Sequence, residues 1–256
     1  GKTLHELLNE YREPVFGARY GTLGSGRFPL LAKMLDAEER LSVQVHPPAG
    51  LAAEMGGEPK TEMWHVIWAE HDADLYAGLR AGTTRSDFEH ALANGTVANE
   101  LHRLPSHAGD TIFIPSGRVH AIGAGNVIVE IQQNSDTTYR VFDWNRVGID
   151  GKARQLHIQE SLRSINFDDP EPQFQPPDAH PLVACPHFEV DRWVLDTARE
   201  GAPEGEFALL TVLTGGVECA GMRFKPGEFF LIPALLKDRH LRPTEPASSV
   251  LVTRLP

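Results

Sequence analysis

The feature that most constrains the fold is a short β unit that occurs twice in the chain. The segments AGDTIFIPSGRVH (108–120) and PGEFFLIPALLKDRH (226–240) each contain a glycine, an acidic residue, four mostly apolar residues and a proline, in that order. The first copy has a histidine five positions after the proline, and the histidine of the second copy lies two positions later. A repeated strand unit predicts a duplicated β architecture in which only the first copy has the histidine at this position.

Most of the remaining chain also predicts short strands. Runs of β-branched and aromatic residues are separated by glycine, proline and Asn-Ser-Asp turns, and this pattern is typical of mainly β folds. Two helices are predicted. One lies at the start of the chain, where Thr3 and Glu6 form a capping box, and the other begins at Ser86 or Thr84 and ends at Gly95.

Composition excludes several classes of function. The chain has 256 residues and a net charge of -11, and its lysines and arginines form no cluster, which argues against a nucleic-acid partner. No apolar run is long enough to span a bilayer and no secretory signal is evident, so we expect a cytoplasmic protein without a membrane partner. Cys185 and Cys219 lie far apart in the sequence and predict reduced thiols.

The segment LSVQVHPP (41–48) predicts a strand with two different faces. Side chains alternate across a strand, so Val43 and Val45 share one face while Gln44 and His46 share the other. A polar face of this kind on an edge strand is by default simply exposed to solvent. It becomes a candidate ligand face only together with other ligand-type residues.

The first copy of the repeat supplies such residues. Gly109, Pro115, Gly117 and His120 match the pattern G-x5-P-x-G-x2-H, and this pattern resembles the second sequence motif of the cupin barrels. Glycine permits the tight turn between strands, and proline fits a strand end. The resemblance implies that the histidine points into the mouth of a barrel.

The first cupin motif usually supplies further ligands, and here the candidates are Gln44, His46 and Glu62. Lys60 lies two residues before Glu62 and therefore faces the same way. Each of these residues alone is more often an ordinary surface residue. Together with His120 they offer two imidazoles, a carboxylate and an amide carbonyl, and zinc binds such ligands readily.

Four blocks of sequence resemble one family. LSVQVHP, PKTEMW, IPSGRVHAIGAG and EIQQNSDTTYRVFDWNR occur in this order, and together they resemble the type I mannose-6-phosphate isomerases, especially the short bacterial branch. The resemblance implies a mainly β fold of two cupin-like, jelly-roll β-barrels with a few helices. Residues 167–181 are rich in proline and acidic residues and predict a linker between a catalytic, metal-binding domain with helical insertions (1–166) and a degenerate C-terminal domain (182–256).

The resemblance also implies a function and its residues. The function is zinc-dependent interconversion of mannose 6-phosphate and fructose 6-phosphate through an enediol, with a sugar phosphate as the partner. One zinc ion per chain would be bound by Gln44, His46, Glu62 and His120. Arg140 matches an essential arginine, Lys60 an active-site lysine, and Glu130 an acidic position near the pocket. We expect Glu130 to transfer the proton, while Lys60 and Arg140 share substrate binding and charge stabilisation.

Some expectations stay open at this point. The family has an upstream segment with a Trp-Gly-Gly strand, and the chain begins after that point, so we expect an exposed sheet edge. A degenerate sugar-phosphate-binding cupin is one alternative function, and an iron-dependent cupin oxygenase is a second, less favoured one. Cobalt or manganese fits the ligands as well as zinc does. The protein is a monomer or a homodimer.

Overall fold

The computed structural model describes residues 1–20, 26–147, 151–169 and 171–256, so Pro170 of the predicted linker lies outside the described residues. Five α-helices and one 3-10 helix are present in these ranges. The helices are α1 (Leu4–Glu10), α2 (Arg12–Phe16), α3 (Ala49–Ala52), α4 (Arg85–Asn94), the 3-10 helix (Val97–Glu100) and α5 (Ile158–Ser164). None of them is long and apolar enough to cross a membrane.

Eighteen strands account for most of the regular structure in the described ranges. The first nine are β1 (Leu30–Ala37), β2 (Val43–Val45), β3 (Glu62–Ala69), β4 (Asp74–Leu79), β5 (Leu101–Pro105), β6 (Thr111–Ile114), β7 (His120–Ile122), β8 (Asn126–Gln133) and β9 (Tyr139–Phe142). The others are β10 (Val183–Ala184), β11 (Glu189–Leu195), β12 (Arg199–Glu200), β13 (Ala208–Thr214), β14 (Val217–Cys219), β15 (Met222–Phe224), β16 (Phe229–Ile232), β17 (His240–Pro243) and β18 (Ser248–Arg254). The prediction of a mainly β chain with few helices is confirmed.

The strands form two compact units, each with two antiparallel sheets. The larger unit, residues 30–177, contains the sheets β1-β8-β3-β6 and β5-β4-β7-β2-β9. The smaller unit, residues 1–29 and 178–256, contains the sheets β10-β11-β18-β13-β16 and β12-β17-β14-β15. The strand order β1-β8-β3-β6 of the larger unit corresponds to β11-β18-β13-β16 of the smaller one. The two copies of the sequence repeat become β6 and β16, which occupy equivalent edges.

Glycine explains how the repeat begins in both units. Gly109 and Gly227 have φ angles of 97° and 87°, a left-handed conformation that glycine adopts without steric cost. Each glycine precedes the edge strand of its sheet. The repeated unit in the sequence therefore encodes the same turn and strand twice.

The ranges of the two units differ from those in the predicted domain organisation. The first 29 residues group with the C-terminal part of the chain, and residues up to 177 group with the larger unit. An aromatic cluster within the smaller unit accounts for the first grouping. Phe16 and Tyr20 both pack edge-on against Phe207, and the Tyr20 hydroxyl donates to the Leu255 carbonyl at 2.7 Å. The predicted roles of the two domains stay predictions.

Two apolar cores position the strands of the larger unit. One lies between its sheets and includes Trp64, Leu75 and Ile112. The other brings Val43 and Val45 together with residues of the 3-10 helix and of helices α4 and α5. The valines of β2 thus pack beneath helices. Strand alternation then turns Gln44 and His46 to the opposite face, toward the other sheet.

Both predicted helices are present, the first followed directly by α2, whereas α3, α5 and the 3-10 helix were not predicted. Helix α1 begins after its N-cap Thr3, which forms the predicted capping box with Glu6, and α4 runs from its N-cap Thr84 to a left-handed Gly95. Helix α3 follows Pro48, which provides no side-chain capping hydrogen bond. Helix α5 follows His157, whose side chain makes no capping hydrogen bond. A helix without a side-chain cap has no clear start in the sequence.

Candidate metal centre

Three ligand-type side chains converge from three strands of the larger unit. His46 follows directly after β2, Glu62 is the first residue of β3, and His120 is the first residue of β7. Strands β2 and β7 are neighbours, with Gln44 paired to His120, whereas β3 belongs to the opposite sheet. The centre is therefore built between the two sheets from residues of both.

The three side chains are close together and fully buried. Glu62 Oε2 lies 3.4 Å from His46 Nε2, and Glu62 Oε1 lies 3.4 Å from His120 Nε2. One ligand atom from each of the three residues lies within 4.8 Å of the other two. Within the part of the chain that the structure describes, this is the one group of three or more His, Cys, Asp or Glu residues with metal-ligand spacing. We call these three residues the triad.

Main-chain carbonyls orient both imidazoles. His46 Nδ1 lies 2.8 Å from the Thr137 carbonyl oxygen, and His120 Nδ1 lies 2.9 Å from the Arg118 carbonyl oxygen. A carbonyl oxygen only accepts hydrogen bonds, so each Nδ1 carries a proton and Nε2 is the ring atom left to ligate a metal. Both Nε2 atoms lie on the side of Glu62, as metal ligation requires.

Burial and neighbouring charges set the ionisation of the triad. Burial lowers the pKa of His120 to about 3, although the charge of Glu62 acts in the opposite direction. Burial alone would raise the pKa of Glu62, but the attraction of the two histidines and of Lys60 together holds that pKa below its ordinary value. At neutral pH the centre thus contains a carboxylate and a neutral His120, which are the protonation states of metal ligands.

The unpartnered atoms of the centre fit a divalent cation. Both carboxylate oxygens of Glu62 and the Nε2 of His120 are buried and make no well-aligned hydrogen bond in the described part of the chain, and Glu62 Oε2 has the Lys60 ammonium 2.9 Å away as its ion-pair partner. Buried polar atoms are rarely left in this state, because an unmade hydrogen bond is costly. Two imidazoles and a carboxylate are good ligands for zinc and for related transition metals. Gln44 is half-buried on the same strand face as His46, and its ligation stays a prediction.

Lys60 lies directly against the triad. Its Nζ is 2.9 Å from Glu62 Oε2 and 3.3 Å from His46 Nε2, and the residue is only 6% exposed. The Lys60 backbone N–H donates to Ser116 Oγ at 2.9 Å, which connects the start of β3 to the turn before β7. The structure thus places Lys60 at the centre, as its spacing from Glu62 predicts.

Glu130 belongs to a second polar group that adjoins the triad. Lys33 pairs with Glu130 across β1 and β8, and its Nζ lies 2.8 Å from Glu130 Oε2 and 2.6 Å from Gln132 Oε1. The Trp64 indole N–H donates to Glu130 Oε1 at 3.2 Å, and the Trp64 ring packs edge-on against the His120 ring. Trp64 therefore contacts both Glu130 and the triad.

Sequence reasoning missed Lys33. In the strand FPLLAKMLDA, Leu31 and Leu35 lie on the same face as Lys33, and that face points toward the core between the sheets. A single lysine on an otherwise apolar face was the one indication in the sequence that Lys33 has a specific polar partner. It gave no hint of Glu130, because the partner strand is almost a hundred residues away in the sequence.

Arg140 occupies the strand next to Gln44 and has partners of its own. It pairs with Gln44 across β2 and β9. Its guanidinium donates to Ser42 Oγ at 3.2 Å and to the Gln155 carbonyl oxygen at 3.0 Å. Burial lowers the pKa of Arg140, and the nearby positive charge of Arg154 adds to this effect. The structure thus groups Lys60 with the triad, while Arg140 lies one strand away beside Gln44.

Comparison with known proteins points to a single family. The family model for the catalytic domain of type I phosphomannose isomerase matches residues 1–77. The mannose-6-phosphate isomerase ManA of Bacillus subtilis is 37% identical over 246 residues, which cover 91% of this chain and 76% of that protein. The mannose-6-phosphate isomerase of Streptococcus mutans is 36% identical over 251 residues, covering 93% of this chain and 77% of that protein.

A solved structure agrees with these sequence relatives. The crystal structure of the mannose 6-phosphate isomerase from Bacillus subtilis superposes with a TM-score of 0.84 at 29% identity. The match covers 100% of this chain and 82% of that one. The agreement confirms the predicted cupin-like fold across both units.

Proposed function

The chain belongs to the type I mannose-6-phosphate isomerase family, and we propose that it interconverts mannose 6-phosphate and fructose 6-phosphate at a divalent metal ion. The observation that carries the proposal is the buried triad of His46, Glu62 and His120, in which three atoms make no well-aligned hydrogen bond within the described residues. We further propose that the metal is zinc, at one ion per chain, with Gln44 as the fourth protein ligand.

The reaction moves one proton between C1 and C2 of the sugar and another between the two oxygens. When bound, a divalent ion would polarise the carbonyl and stabilise the negative charge that develops on the sugar oxygen as the C–H proton is removed. The triad supplies the permanent negative charge and the directed lone pairs that hold such an ion. Its burial excludes water, which strengthens every electrostatic interaction at the reacting carbons.

Glu130 is the proposed base that transfers the proton between the carbons. Its side chain is only 5% exposed, which supports a carboxylate held away from bulk water. Lys33 and the Trp64 indole fix its two oxygens, so little reorganisation is needed during proton transfer. A base with this support would act on a sugar bound against the triad.

Lys60 and Arg140 are the proposed substrate-binding cations. The phosphate is an anion and the chain carries a net charge of -11, so binding requires locally placed positive charge. The burial of Lys60 against Glu62 supports a role at the reacting end of the sugar. Arg140 is half-buried with a fixed guanidinium, which supports binding of the phosphate or of sugar oxygens.

The reaction is tested by an assay that couples fructose 6-phosphate formation to a spectroscopic signal. We expect turnover of mannose 6-phosphate that is lost on chelation and returns on addition of zinc. His120→Ala should abolish both metal binding and turnover in a protein that stays folded. Metal binding without turnover would favour a non-catalytic sugar-phosphate binder, whereas bound iron with oxygen consumption would favour an oxygenase.

We also propose a cytoplasmic location, which the free thiols Cys185 and Cys219 support.

A further inference from the structure

We infer that Arg118 and Asp169 form a positioning pair that holds the metal ligand His120 in its ligating orientation. The inference rests on the proposed metal site and goes beyond it, because neither residue contacts the triad through its side chain. Asp169 lies in the segment that the sequence predicts to be a linker. The structure gives this residue a specific partner in the turn before β7.

The ion pair has the geometry of a strong, directional contact. Arg118 Nε lies 2.6 Å from Asp169 Oδ2, and Arg118 Nη2 lies 2.7 Å from Asp169 Oδ1, so the pair is bidentate. The two side chains are only 13% and 9% exposed. Arg118 Nη1 also donates to the Phe113 carbonyl oxygen at 2.7 Å. The guanidinium is therefore fixed by three hydrogen bonds, which tie the turn that carries Arg118 to Asp169 and to Phe113.

The backbone of Arg118 is what orients His120. Its carbonyl oxygen accepts the Nδ1 proton of His120 at 2.9 Å and so determines which ring nitrogen faces Glu62. A shift of this carbonyl would rotate the ring or allow the other tautomer. The chain of contacts thus runs from Asp169 through the Arg118 side chain and carbonyl to the ligating imidazole.

The same segment also supports the turn at Gly117. The Asn166 N–H donates to the Gly117 carbonyl oxygen at 2.9 Å, and the Gly117 N–H donates to the His46 carbonyl oxygen at 2.8 Å. Gly117 has a φ of 94°. The residues after helix α5 therefore connect through one turn to the two histidines of the triad. This arrangement explains why the residues after helix α5 pack against the turn before β7.

The test measures Co²⁺ binding by competition with a chromophoric chelator, together with the visible spectrum of the cobalt protein, which reports coordination geometry. Asp169→Asn and Arg118→Lys should each weaken Co²⁺ affinity about tenfold or more and alter the spectrum. Lysine keeps the charge of arginine but loses the bidentate fork. The double variant Arg118→Met with Asp169→Leu removes both charges together and keeps the site packed. It should still bind Co²⁺ more weakly than the parent.

Asp74→Asn is the matched control. Asp74 is a buried carboxylate that accepts from Arg103, and it lies on β4 three residues before Ala77, the register partner of His120. This variant should lose stability in urea unfolding but keep the parent's cobalt affinity and spectrum. The inference is overturned if Asp169→Asn keeps the parent's affinity and spectrum, if Asp74→Asn loses as much affinity, or if the double variant binds like the parent. A parent that binds no Co²⁺ overturns the proposed function and this inference together.

Discussion

Replacing Lys60 by methionine should show two contributions to the unfolding free energy separately. One is the loss when Glu62 is buried without a counter-charge, and the other is the gain when Glu62 binds metal. The Lys60 ammonium lies 2.9 Å from a carboxylate that is fully buried. Removing one partner of a buried ion pair typically costs about 3–5 kcal/mol, because the other charge is left uncompensated. We expect Lys60→Met to lower the unfolding free energy of the metal-free protein by about 3 kcal/mol, a large part of the ~5–15 kcal/mol that holds a domain folded.

Metal should restore most of this loss. Saturating metal stabilises both proteins, so it closes a gap of about 3 kcal/mol only if the methionine variant binds metal about 150-fold more tightly, which we expect because no ammonium competes for Glu62. The assay is urea unfolding of parent and variant with chelator and with saturating Zn²⁺. The gap between the two proteins should be about 3 kcal/mol with chelator and should nearly close with Zn²⁺.

The matched control for this experiment is Lys33→Met. Lys33 pairs with Glu130, but its side chain is 36% exposed, and Glu130 keeps the Trp64 hydrogen bond. The loss of stability should therefore be smaller, and Zn²⁺ should not reduce it. The reasoning is refuted if metal-free Lys60→Met is as stable as the parent, or if Zn²⁺ restores Lys33→Met to the same extent.

Three further outcomes are expected. Glu130→Gln should lower kcat at least ~100-fold while the metal content stays at the parent's value, and a parallel loss of metal would contradict its role as the base. Arg140→Lys should raise KM for mannose 6-phosphate about tenfold with the metal content unchanged, because the guanidinium geometry is lost, and an unchanged KM would argue against substrate binding. Burial raises the pKa of Asp143, but hydrogen bonds from Arg154 and Arg146 outweigh burial and hold it below its ordinary value. Its contribution to stability is thus present above about pH 4 and lost as the pH falls, so the unfolding free energy of Asp143→Asn should fall less steeply than the parent's from about pH 5 to about pH 3.

Local sequence patterns predicted the features that depend on neighbouring residues. The alternation in LSVQVHPP placed Val43 and Val45 on one face and His46 on the other, and the structure confirms this arrangement. The capping box at Thr3 and the glycine at Gly95 located helix ends, because capping is a local interaction. The cupin-like motifs likewise identified His46, Glu62 and His120 as candidate metal ligands.

Features that depend on distant contacts were not predictable in the same way. The pairing of Lys33 with Glu130 depends on the register between β1 and β8. The pairing of Arg118 with Asp169 depends on the position of a segment whose composition predicted a linker. Proline and acidic residues indicate an irregular backbone, but they do not show whether that backbone packs against a domain. For the same reason, the grouping of residues 1–29 with the C-terminal part required the structure.

The most direct test of the metal centre is the metal content of the purified protein and of its Glu62→Gln variant, after both are loaded with zinc and desalted. Glutamine preserves the size of the side chain and removes the charge that would balance the cation. We predict one zinc per chain in the parent and a small fraction of that in the variant, with mannose 6-phosphate turnover following the zinc content. Equal zinc in the two proteins, or full turnover in a parent without metal, would contradict the assignment of His46, Glu62 and His120 as the metal centre.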